Sequence, residues 1–372
     1  MPRLLSLLHL LMLSVARLAA ADQEWLSAKL EQLRVQHRLP GIAAAAVREE
    51  EIVISATAGL RKVGSPERVT LADKWHIGSC TKSMTATVAA ILVEEGRIRW
   101  ESTIAELFPE WRAKMAAQWR PVTLEQLLTH RSGAPEDAPP DIWADAQKEV
   151  GSPAQQRIRF VRALLEKQPV ASPGSKHIYS NQGYAIAGAM LEKVTKKPWE
   201  ELMQTRLFTP LRMTSAGFGP PASRGKIDQP WGHRAGQGKL EPVPRGPGAD
   251  NPPAIGPAGT VHCSIADFAR YAGWHARGVR GGQLLLSGNG FATLRRAPAG
   301  QAYAMGWGVA EREWGGGATF SHAGSNTMFY AIMWVAPEKN AAFVAATNAA
   351  GPEARAACDE AVSAMIARVL AK

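Results

Sequence analysis

Residues 79–96 read SCTKSMTATVAAILVEEG. The apolar residues of this stretch recur at helical spacing, which predicts a buried helix that begins near Ser79 and ends at Gly96. The residues of its apolar face are Met84, Val88, Ile91 and Leu92. Ser79 and Lys82 lie three residues apart in the first turn and therefore share one face of the helix.

This serine and lysine can carry chemistry together. The first turn of a helix presents free backbone N–H groups and the positive end of the helix dipole. A serine hydroxyl becomes a nucleophile when a base takes its proton, and a lysine acts as that base when burial lowers its pKa. In isolation, a capping serine beside a solvated lysine is the commoner arrangement. Ser223 and Lys226 have the same spacing, but they lie in a Pro/Gly-rich stretch that predicts no helix to align them.

Two later segments carry further polar groups. Tyr179 offers a phenol that can relay a proton, and Asn181 offers a donor and an acceptor for a substrate amide or ester. His322, Gly324 and Ser325 follow a β-type run. Each residue taken singly has a structural interpretation as well: a core tyrosine, a turn asparagine or a buried histidine.

Together these motifs resemble those of the serine hydrolases related to class C β-lactamases and penicillin-binding proteins, in which Ser-x-x-Lys, Tyr-x-Asn and a Lys/His-x-Gly strand motif build one site. Other similar stretches follow in the order of that family. They are Leu127-Leu128-Thr129-His130 with Ser132-Gly133, Pro210-Leu211 with Met213 and Phe218, Gly306-Trp307-Gly308, and a strand that ends at Asn348. The resemblance covers essentially all of the chain after residue 21.

The resemblance implies a role for each residue of the catalytic group. Ser79 would be the nucleophile, Lys82 would deprotonate it, and Tyr179 would share the base role and reprotonate the leaving group. Which of the two is the base stays open, because a coupled lysine and tyrosine titrate as a unit. The backbone N–H groups of Ser79 and Ser325 would form the oxyanion hole.

The substrate would lie against three further residues. By the same resemblance Asn181 would orient it, and His322 and Gly324 would line the opposite wall. The related β-lactamases usually have Lys-Thr-Gly where this chain has His-Ala-Gly, and a neutral histidine does not supply the permanent charge that binds a β-lactam carboxylate. In this respect the chain resembles the esterase and D-amino-acid peptidase members of the family.

The expected function is that of an exported serine hydrolase, which acts through an acyl-enzyme on carboxylic esters or related acyl compounds. A D-Ala-D-Ala carboxypeptidase, a D-amino-acid peptidase or a weak class C-like β-lactamase is the alternative within the enzymes. An inert module that binds acyl ligands or cell wall is the alternative outside them. The expected substrate is a small ester, amide or peptide, and the chemistry needs no metal or cofactor. No zinc-binding or phosphate-loop spacing occurs in the sequence.

The order of elements predicts a mixed α/β fold. Helix and strands come first, helices occupy the middle, and strands with a final helix close the chain. Capping patterns at Thr123, Ser152 and Ser264 predict starts of helices. A β-type run is predicted over 303–309, and the final helix carries an apolar stripe of Cys358, Val362, Met365 and Val369. We therefore expect an antiparallel sheet flanked by the N- and C-terminal helices, in the manner of the β-lactamases and transpeptidases. Residues 22–97 and 300–372 would form this core, and 98–299 a mostly helical insertion with a Pro/Gly-rich surface excursion over 219–257.

The N-terminus and the composition indicate export. A basic start, a Leu-rich run and three alanines over residues 1–21 are typical of a signal peptide cleaved after Ala21, which would leave a periplasmic or secreted protein. Three dispersed cysteines cannot make a disulfide framework. The net charge of +10 comes from scattered lysines and arginines, which argues against nucleic-acid binding. An exported basic protein would favour anionic cell-wall or membrane surfaces, although solubility explains the charge equally well; the oligomeric state stays open.

Overall fold

The computed structural model of the chain describes residues 20–236, 239–246, 248–280 and 285–371. The predicted signal peptide, apart from its last two residues, lies outside this described part. The strands are β1 (Gly41–Arg48), β2 (Glu51–Gly59), β3 (Lys74–His76), β4 (Gly217–Phe218), β5 (Gly232–Gly236), β6 (Lys239–Val243), β7 (Val261–Ser264), β8 (Gly308–Arg312), β9 (Gly317–Ser325), β10 (Tyr330–Ala336) and β11 (Ala341–Thr347). The helices are α1 (20–36), α2 (Thr81–Glu94), α3 (Ile104–Leu107), α4 (Leu124–Leu128), α5 (Pro140–Ala146), α6 (Pro153–Leu165), α7 (Asn181–Thr195), α8 (Trp199–Met203), α9 (Gly256–Gly259), α10 (Ile265–Arg277), α11 (Gly288–Arg295) and α12 (Pro352–Leu370).

The main sheet joins both ends of the chain. It has six antiparallel strands in the order β2-β1-β11-β10-β9-β8, so the second-last element of the chain pairs with the first strand. The β1–β2 hairpin turns at Glu49 and Glu50, which both adopt positive φ, as a tight hairpin turn requires. The predicted antiparallel sheet with flanking helices is therefore confirmed.

Helices cover both faces of this sheet. Every residue from Gly41 to Val47 is buried, and successive alanines point to opposite faces. Ala44 and Ala46 pack in one apolar cluster with the leucines of α1 and the stripe of α12, while Ala43 and Ala45 belong to the cluster that contains α2 and α10. Small side chains in β1 let helices approach the sheet closely from both sides.

Helices predominate between residues 81 and 295, and several begin at the residues that the sequence predicts. Thr123 and Ser152 each form a reciprocal capping box with a glutamine three residues on, and Ser264 accepts a hydrogen bond from the N–H of Asp267. The second sheet, β3-β7-β4, is short, and its strand β3 leads directly into the serine-bearing turn before α2.

Two segments differ from the sequence prediction. The predicted surface excursion contains the β5–β6 hairpin and ends in a buried helical segment, because Ala254, Ile255 and Ala258 are apolar and pack against the helices. The β-type run predicted from Tyr303 becomes a strand only at Gly308. Gly306, at φ +78°, instead turns the chain so closely onto α2 that a Cβ there would lie 2.5 Å from Ser83 Cα.

Candidate active site

Ser79 lies in a 3₁₀ turn, Gly78–Cys80, between β3 and α2. Gly78 has φ +50°, a conformation that favours glycine, and the turn places Ser79 just ahead of the first residue of α2. The serine is partly exposed, whereas nearly every neighbour along α2 is buried. The sequence prediction that Ser79 and Lys82 share a face at the start of a buried helix agrees with this geometry.

The Lys82 amine is fully buried, and its hydrogen-bond acceptors within the described part of the chain are all neutral. It donates hydrogen bonds to Ser79 Oγ (2.9 Å), Asn181 Oδ1 (2.7 Å) and the Ala258 carbonyl (2.9 Å). Burial lowers the pKa of Lys82 from its ordinary value to about 7. A lysine with such a pKa is half deprotonated near neutral pH and can accept a proton from Ser79.

Tyr179 and Asn181 approach from the start of α7. The hydroxyl of Ser180 caps this helix by accepting a hydrogen bond from the N–H of Gly183. Its two chain neighbours, Tyr179 and Asn181, both lie in the site. The Tyr179 ring centroid lies 4.7 Å from Lys82 Nζ. Burial raises the pKa of the Tyr179 phenol, and its hydrogen bond with Ser79 offsets part of that rise.

Ser325 reaches the site at the end of β9, where two glycines permit a very close approach. A Cβ on Gly324 would lie 2.4 Å from the Ser79 nitrogen, and a Cβ on Gly78 would lie 2.3 Å from the Ser325 nitrogen. The backbone N–H groups of Ser79 and Ser325 therefore belong to segments in direct contact. This juxtaposition is the one an oxyanion hole needs.

His322 lies on the same strand and is held in one neutral form. Its Nδ1 donates to the Ala323 carbonyl at 2.6 Å, and its Nε2 accepts from the Tyr303 hydroxyl at 3.0 Å. Burial, together with the nearby charge of Lys82, lowers the pKa of His322 to about 3. The imidazole consequently offers neither a charge nor a free donor to a substrate.

Three contributors to this site are not predicted from the sequence. The carbonyl of Ala258 directly follows the Pro/Gly-rich stretch 219–257, which indicates a loop. Tyr303 lies in a predicted β-type run and resembles an ordinary strand residue. His130 belongs to a stretch that resembles the family, and its Nδ1 accepts the N–H of Ser180 at 3.0 Å while its ring lies 4.3 Å from that of Tyr179.

Other residues near the motifs are not placed for chemistry. Cys80 is buried, its thiol donates to the His322 carbonyl at 3.3 Å, and burial raises its pKa, so it packs as a core residue. The guanidinium of Arg131 is hydrogen-bonded to the Gly174 carbonyl.

Among the described residues, no group of three or more His, Cys, Asp or Glu side chains is arranged to hold a metal ion. In the same part of the chain, no helix has the length and apolar character that crossing a membrane requires.

The six-stranded sheet, its helices and the Ser-Lys-Tyr site together define the serine hydrolase fold shared by β-lactamases and penicillin-binding proteins. The model of the Beta-lactamase family matches residues 26–364, and the chain belongs to that family. Penicillin-binding protein 4 of Amycolatopsis lactamdurans is 28% identical over 86% of this chain and 84% of its own length. A protein described as Beta-lactamase from Escherichia coli K12 is 27% identical over 63% of this chain and 56% of its own length.

Solved structures show the same architecture. The octameric penicillin-binding protein homologue from Pyrococcus abyssi superimposes with a TM-score of 0.76, at 24% identity, over 94% of this chain and 78% of that one. SurE superimposes with a TM-score of 0.74, at 23% identity, over 94% and 76%. At these identities the two structures establish the fold and not the substrate.

Proposed function

We propose that the chain hydrolyses carboxylic esters or related neutral acyl compounds through an acyl-enzyme on Ser79. The observation that carries the proposal is the contact of Ser79 Oγ, at 2.9 Å, with a buried lysine whose pKa is about 7. A hydroxyl beside a base that is partly neutral at physiological pH is an activated nucleophile.

Hydrogen-bond accounting supports Lys82 as the proton acceptor. A neutral amine has two N–H donors and one lone pair. The two donors match Asn181 Oδ1 and the Ala258 carbonyl, and the lone pair then faces the hydroxyl of Ser79. Lys82 would therefore remove the Ser79 proton as Oγ attacks the acyl carbon. Tyr179, whose pKa is raised, would remain a neutral phenol.

The remaining groups would complete the cycle. The N–H groups of Ser79 and Ser325 would stabilise the negative oxygen of the tetrahedral intermediate, which is typically worth about 2.7–4 kcal/mol per donor. The Tyr179 hydroxyl would give its proton to the departing alkoxide and regain one from protonated Lys82, whose Nζ lies 4.7 Å from the ring centroid. Water would then attack the acyl carbon and lose a proton to the same pair. The bond between the acyl carbon and Oγ breaks, the pair returns the proton to Ser79 Oγ, and the carboxylic acid is released.

The wall formed by β9 favours a neutral substrate. His322 is neutral and uses both ring nitrogens within the protein, and Ala323 has no hydroxyl to offer. A carboxylate beside this wall would be desolvated without a compensating cation, which is unfavourable. This argument supports an ester over a carboxylate-bearing β-lactam or D-Ala peptide. The names of the relatives, penicillin-binding protein 4 and Beta-lactamase, favour the peptidase or β-lactamase as the second candidate.

A substrate panel tests the proposal. Short- and long-chain nitrophenyl esters, a D-Ala-D-Ala peptide and a chromogenic cephalosporin are each given to the purified protein. The Ser79→Ala variant should lose ester turnover and fluorophosphonate labelling. Ser223→Ala, which alters the serine of the second Ser-x-x-Lys spacing, is the matched control and should retain both.

The outcomes separate the candidates. Higher kcat/KM for esters than for the peptide and the cephalosporin supports the proposal, and the reverse order assigns the second candidate. A stable acyl adduct by intact mass, with no turnover of any substrate, would identify the inert binding module. Full ester turnover by the Ser79→Ala variant would reject the mechanism.

We also propose that the protein acts outside the cytoplasm, because residues 1–21 have the pattern of a cleaved signal peptide. Expression of the full chain should yield a periplasmic or secreted product whose N-terminus is Asp22. A cytoplasmic product that keeps its first residues would contradict this.

A further inference from the structure

A buried histidine–carboxylate pair lies directly beside the serine turn and takes no part in the proposed chemistry. His76, the last residue of β3, is fully buried, and Asp250 is nearly so. His76 Nε2 lies 2.9 Å and 3.0 Å from the two carboxylate oxygens of Asp250, while His76 Nδ1 accepts the N–H of Gly78 at 3.1 Å. Since Nδ1 accepts, the proton is on Nε2, and Asp250 selects that tautomer.

The carboxylate of Asp250 also holds the segment that follows Ser325, the second residue of the proposed oxyanion hole. Asn326 Nδ2 donates to Asp250 Oδ1 at 3.0 Å. The amide oxygen of Asn326 accepts the N–H groups of Met328 and Phe329, at 3.2 Å and 2.9 Å, and so fixes the turn that follows Ser325. Asn326 is buried as well.

These contacts converge on the two backbone segments that carry the oxyanion N–H groups. Gly78 immediately precedes Ser79, and Asn326 immediately follows Ser325. The segments touch so closely that a Cβ on Gly78 would lie 2.3 Å from the Ser325 nitrogen. A small rotation of either segment would change the direction of the Ser79 or Ser325 N–H group, and the close packing leaves no space for the backbone to readjust.

We propose that His76, Asp250 and Asn326 are positioning residues that orient the oxyanion hole. The proposal rests on the proposed function, since it assumes that Ser79 is the nucleophile. Asp250 fixes the tautomer of His76. His76 Nδ1 holds the Ile77–Gly78 peptide, which precedes the peptide that carries the Ser79 N–H, and Asn326 holds the turn that follows Ser325. None of the three touches the reacting atoms.

Two substitutions of His76 separate its two nitrogens. His76→Asn places an amide oxygen near the position of Nδ1 and keeps an acceptor for Gly78. His76→Gln reaches Asp250 but leaves the Gly78 N–H without an acceptor. In Asp250→Asn the oxygen stays at the Oδ1 position, because Asn326 Nδ2 and the Asn251 N–H both donate to it there. The amide N–H then replaces Oδ2, 3.0 Å from His76 Nε2, which favours the other tautomer and turns Nδ1 into a donor.

The measured quantity is the rate of Ser79 acylation by a saturating chromogenic ester, followed by rapid mixing. His76→Gln and Asp250→Asn should slow it by about 10- to 100-fold, because a donor displaced by a fraction of an ångström loses much of its effect. His76→Asn should lose much less. The concentration of ester at half-saturation should stay constant, and affinity for a boronic acid, which forms a tetrahedral adduct on Ser79, should fall in parallel with the rate.

A double variant tests the tautomer argument. An asparagine oxygen at position 76 does not depend on Asp250 for its acceptor character, and the amide oxygen of Asp250→Asn would still accept from Asn326 Nδ2. Asp250→Asn should therefore have little further effect in the His76→Asn background. The matched control is His262→Asn. His262 pairs with His76 in the β3–β7 ladder and is also buried, but its Nδ1 bonds to the Gly219 carbonyl away from the serine turn.

Several results would overturn the proposal. They are equal losses for His76→Asn and His76→Gln, an equal loss for His262→Asn, or a weaker half-saturation with an unchanged acylation rate. If Ser79→Ala abolishes turnover while the His76 and Asp250 variants acylate normally, this inference fails and the proposed function stands. If Ser79→Ala remains active, both fail.

Discussion

Changing Asn181 to aspartate tests the assignment of Lys82 as the base. The substitution puts a carboxylate oxygen where the amide oxygen now lies, 2.7 Å from Lys82 Nζ. An opposite charge at this distance raises the pKa of an amine by about 1–3 pH units. The pKa of Lys82 would then rise from about 7 to about 8–10.

The sign of the effect on rate follows from the protonation state. A raised pKa keeps the amine charged over a wider range, and only the neutral amine accepts the Ser79 proton. At pH 7 about half of the wild-type molecules carry a neutral Lys82, against about 10% to 0.1% in the variant. The value of kcat/KM at pH 7 should therefore fall by about 5- to 500-fold.

The assay is the pH profile of kcat/KM for a nitrophenyl ester from pH 5 to 10.5, with Ser79→Ala for background subtraction. The kcat/KM of the wild type should rise about tenfold per pH unit below pH 7 and level off above it. The Asn181→Asp profile should level off at least one pH unit higher, at a plateau lowered by the loss of the Asn181 amide donor that would orient the substrate. Asn340→Asp, the same change in the turn after β10, should leave the profile in place. A midpoint for Asn181→Asp that is unchanged, or that moves to lower pH, would refute Lys82 as the base.

Three further substitutions have defined outcomes. Gly324→Ala puts a Cβ 2.4 Å from the Ser79 nitrogen, so the acylation rate should fall about 100-fold or more. Gly308→Ala, for which the nearest contact of the new Cβ would be 3.4 Å, should change the acylation rate little. Equal effects of the two substitutions would contradict the close approach. Lys82→Met removes a buried amine whose pKa is lowered in the folded state, so in urea melts the variant should be more stable than the wild type at pH 6. The difference between their free energies of unfolding should shrink by at most about 1.4 kcal/mol per pH unit between pH 7 and 10. A difference that does not vary with pH would contradict the burial argument. His37 is buried between Glu353 and Glu360. Burial opposes its charge, but the hydrogen bonds to these carboxylates outweigh burial and raise its pKa, so its stabilisation is present below the unfolded pKa and is lost as pH rises through the folded one. In urea melts His37→Gln should lower the free energy of unfolding by about 1 kcal/mol or less at pH 5.5 and leave it unchanged at pH 9.

Local patterns predicted the parts of the fold that local interactions determine. The stripe of α12, the capping boxes at Thr123 and Ser152 and the helix after Ser79 depend on residues three or four apart, and each forms as the sequence indicated. The contact between Ser79 and Lys82 belongs to the same class, because helical spacing alone brings them together.

Long-range polar contacts could not be predicted in this way. His76 sits between Trp75 and Ile77 and resembles an ordinary strand residue, and Asp250 lies within the Pro/Gly-rich stretch 219–257. They are separated by 174 residues, and only the folded chain joins them. Similarly, the resemblance to a family indicated Tyr179, Asn181 and the 322–325 motif, but neither periodicity nor composition could have located the Ala258 carbonyl.

The partners of Lys82 explain how this site keeps a lysine with a low pKa. A drop of the pKa from 10.5 to about 7 corresponds to on the order of 5 kcal/mol against the charged amine. A single carboxylate within hydrogen-bond distance would cancel much of that effect. The three acceptors around Nζ are instead a hydroxyl, an amide oxygen and a carbonyl, all neutral. The carboxylate of Asp250 acts one step away, on His76 and Asn326, where its charge fixes backbone donors and makes no hydrogen bond to the base. Segregating charge in this way lets one site hold a weakly basic amine and a rigid pair of N–H donors, and acylation through Ser79 requires both.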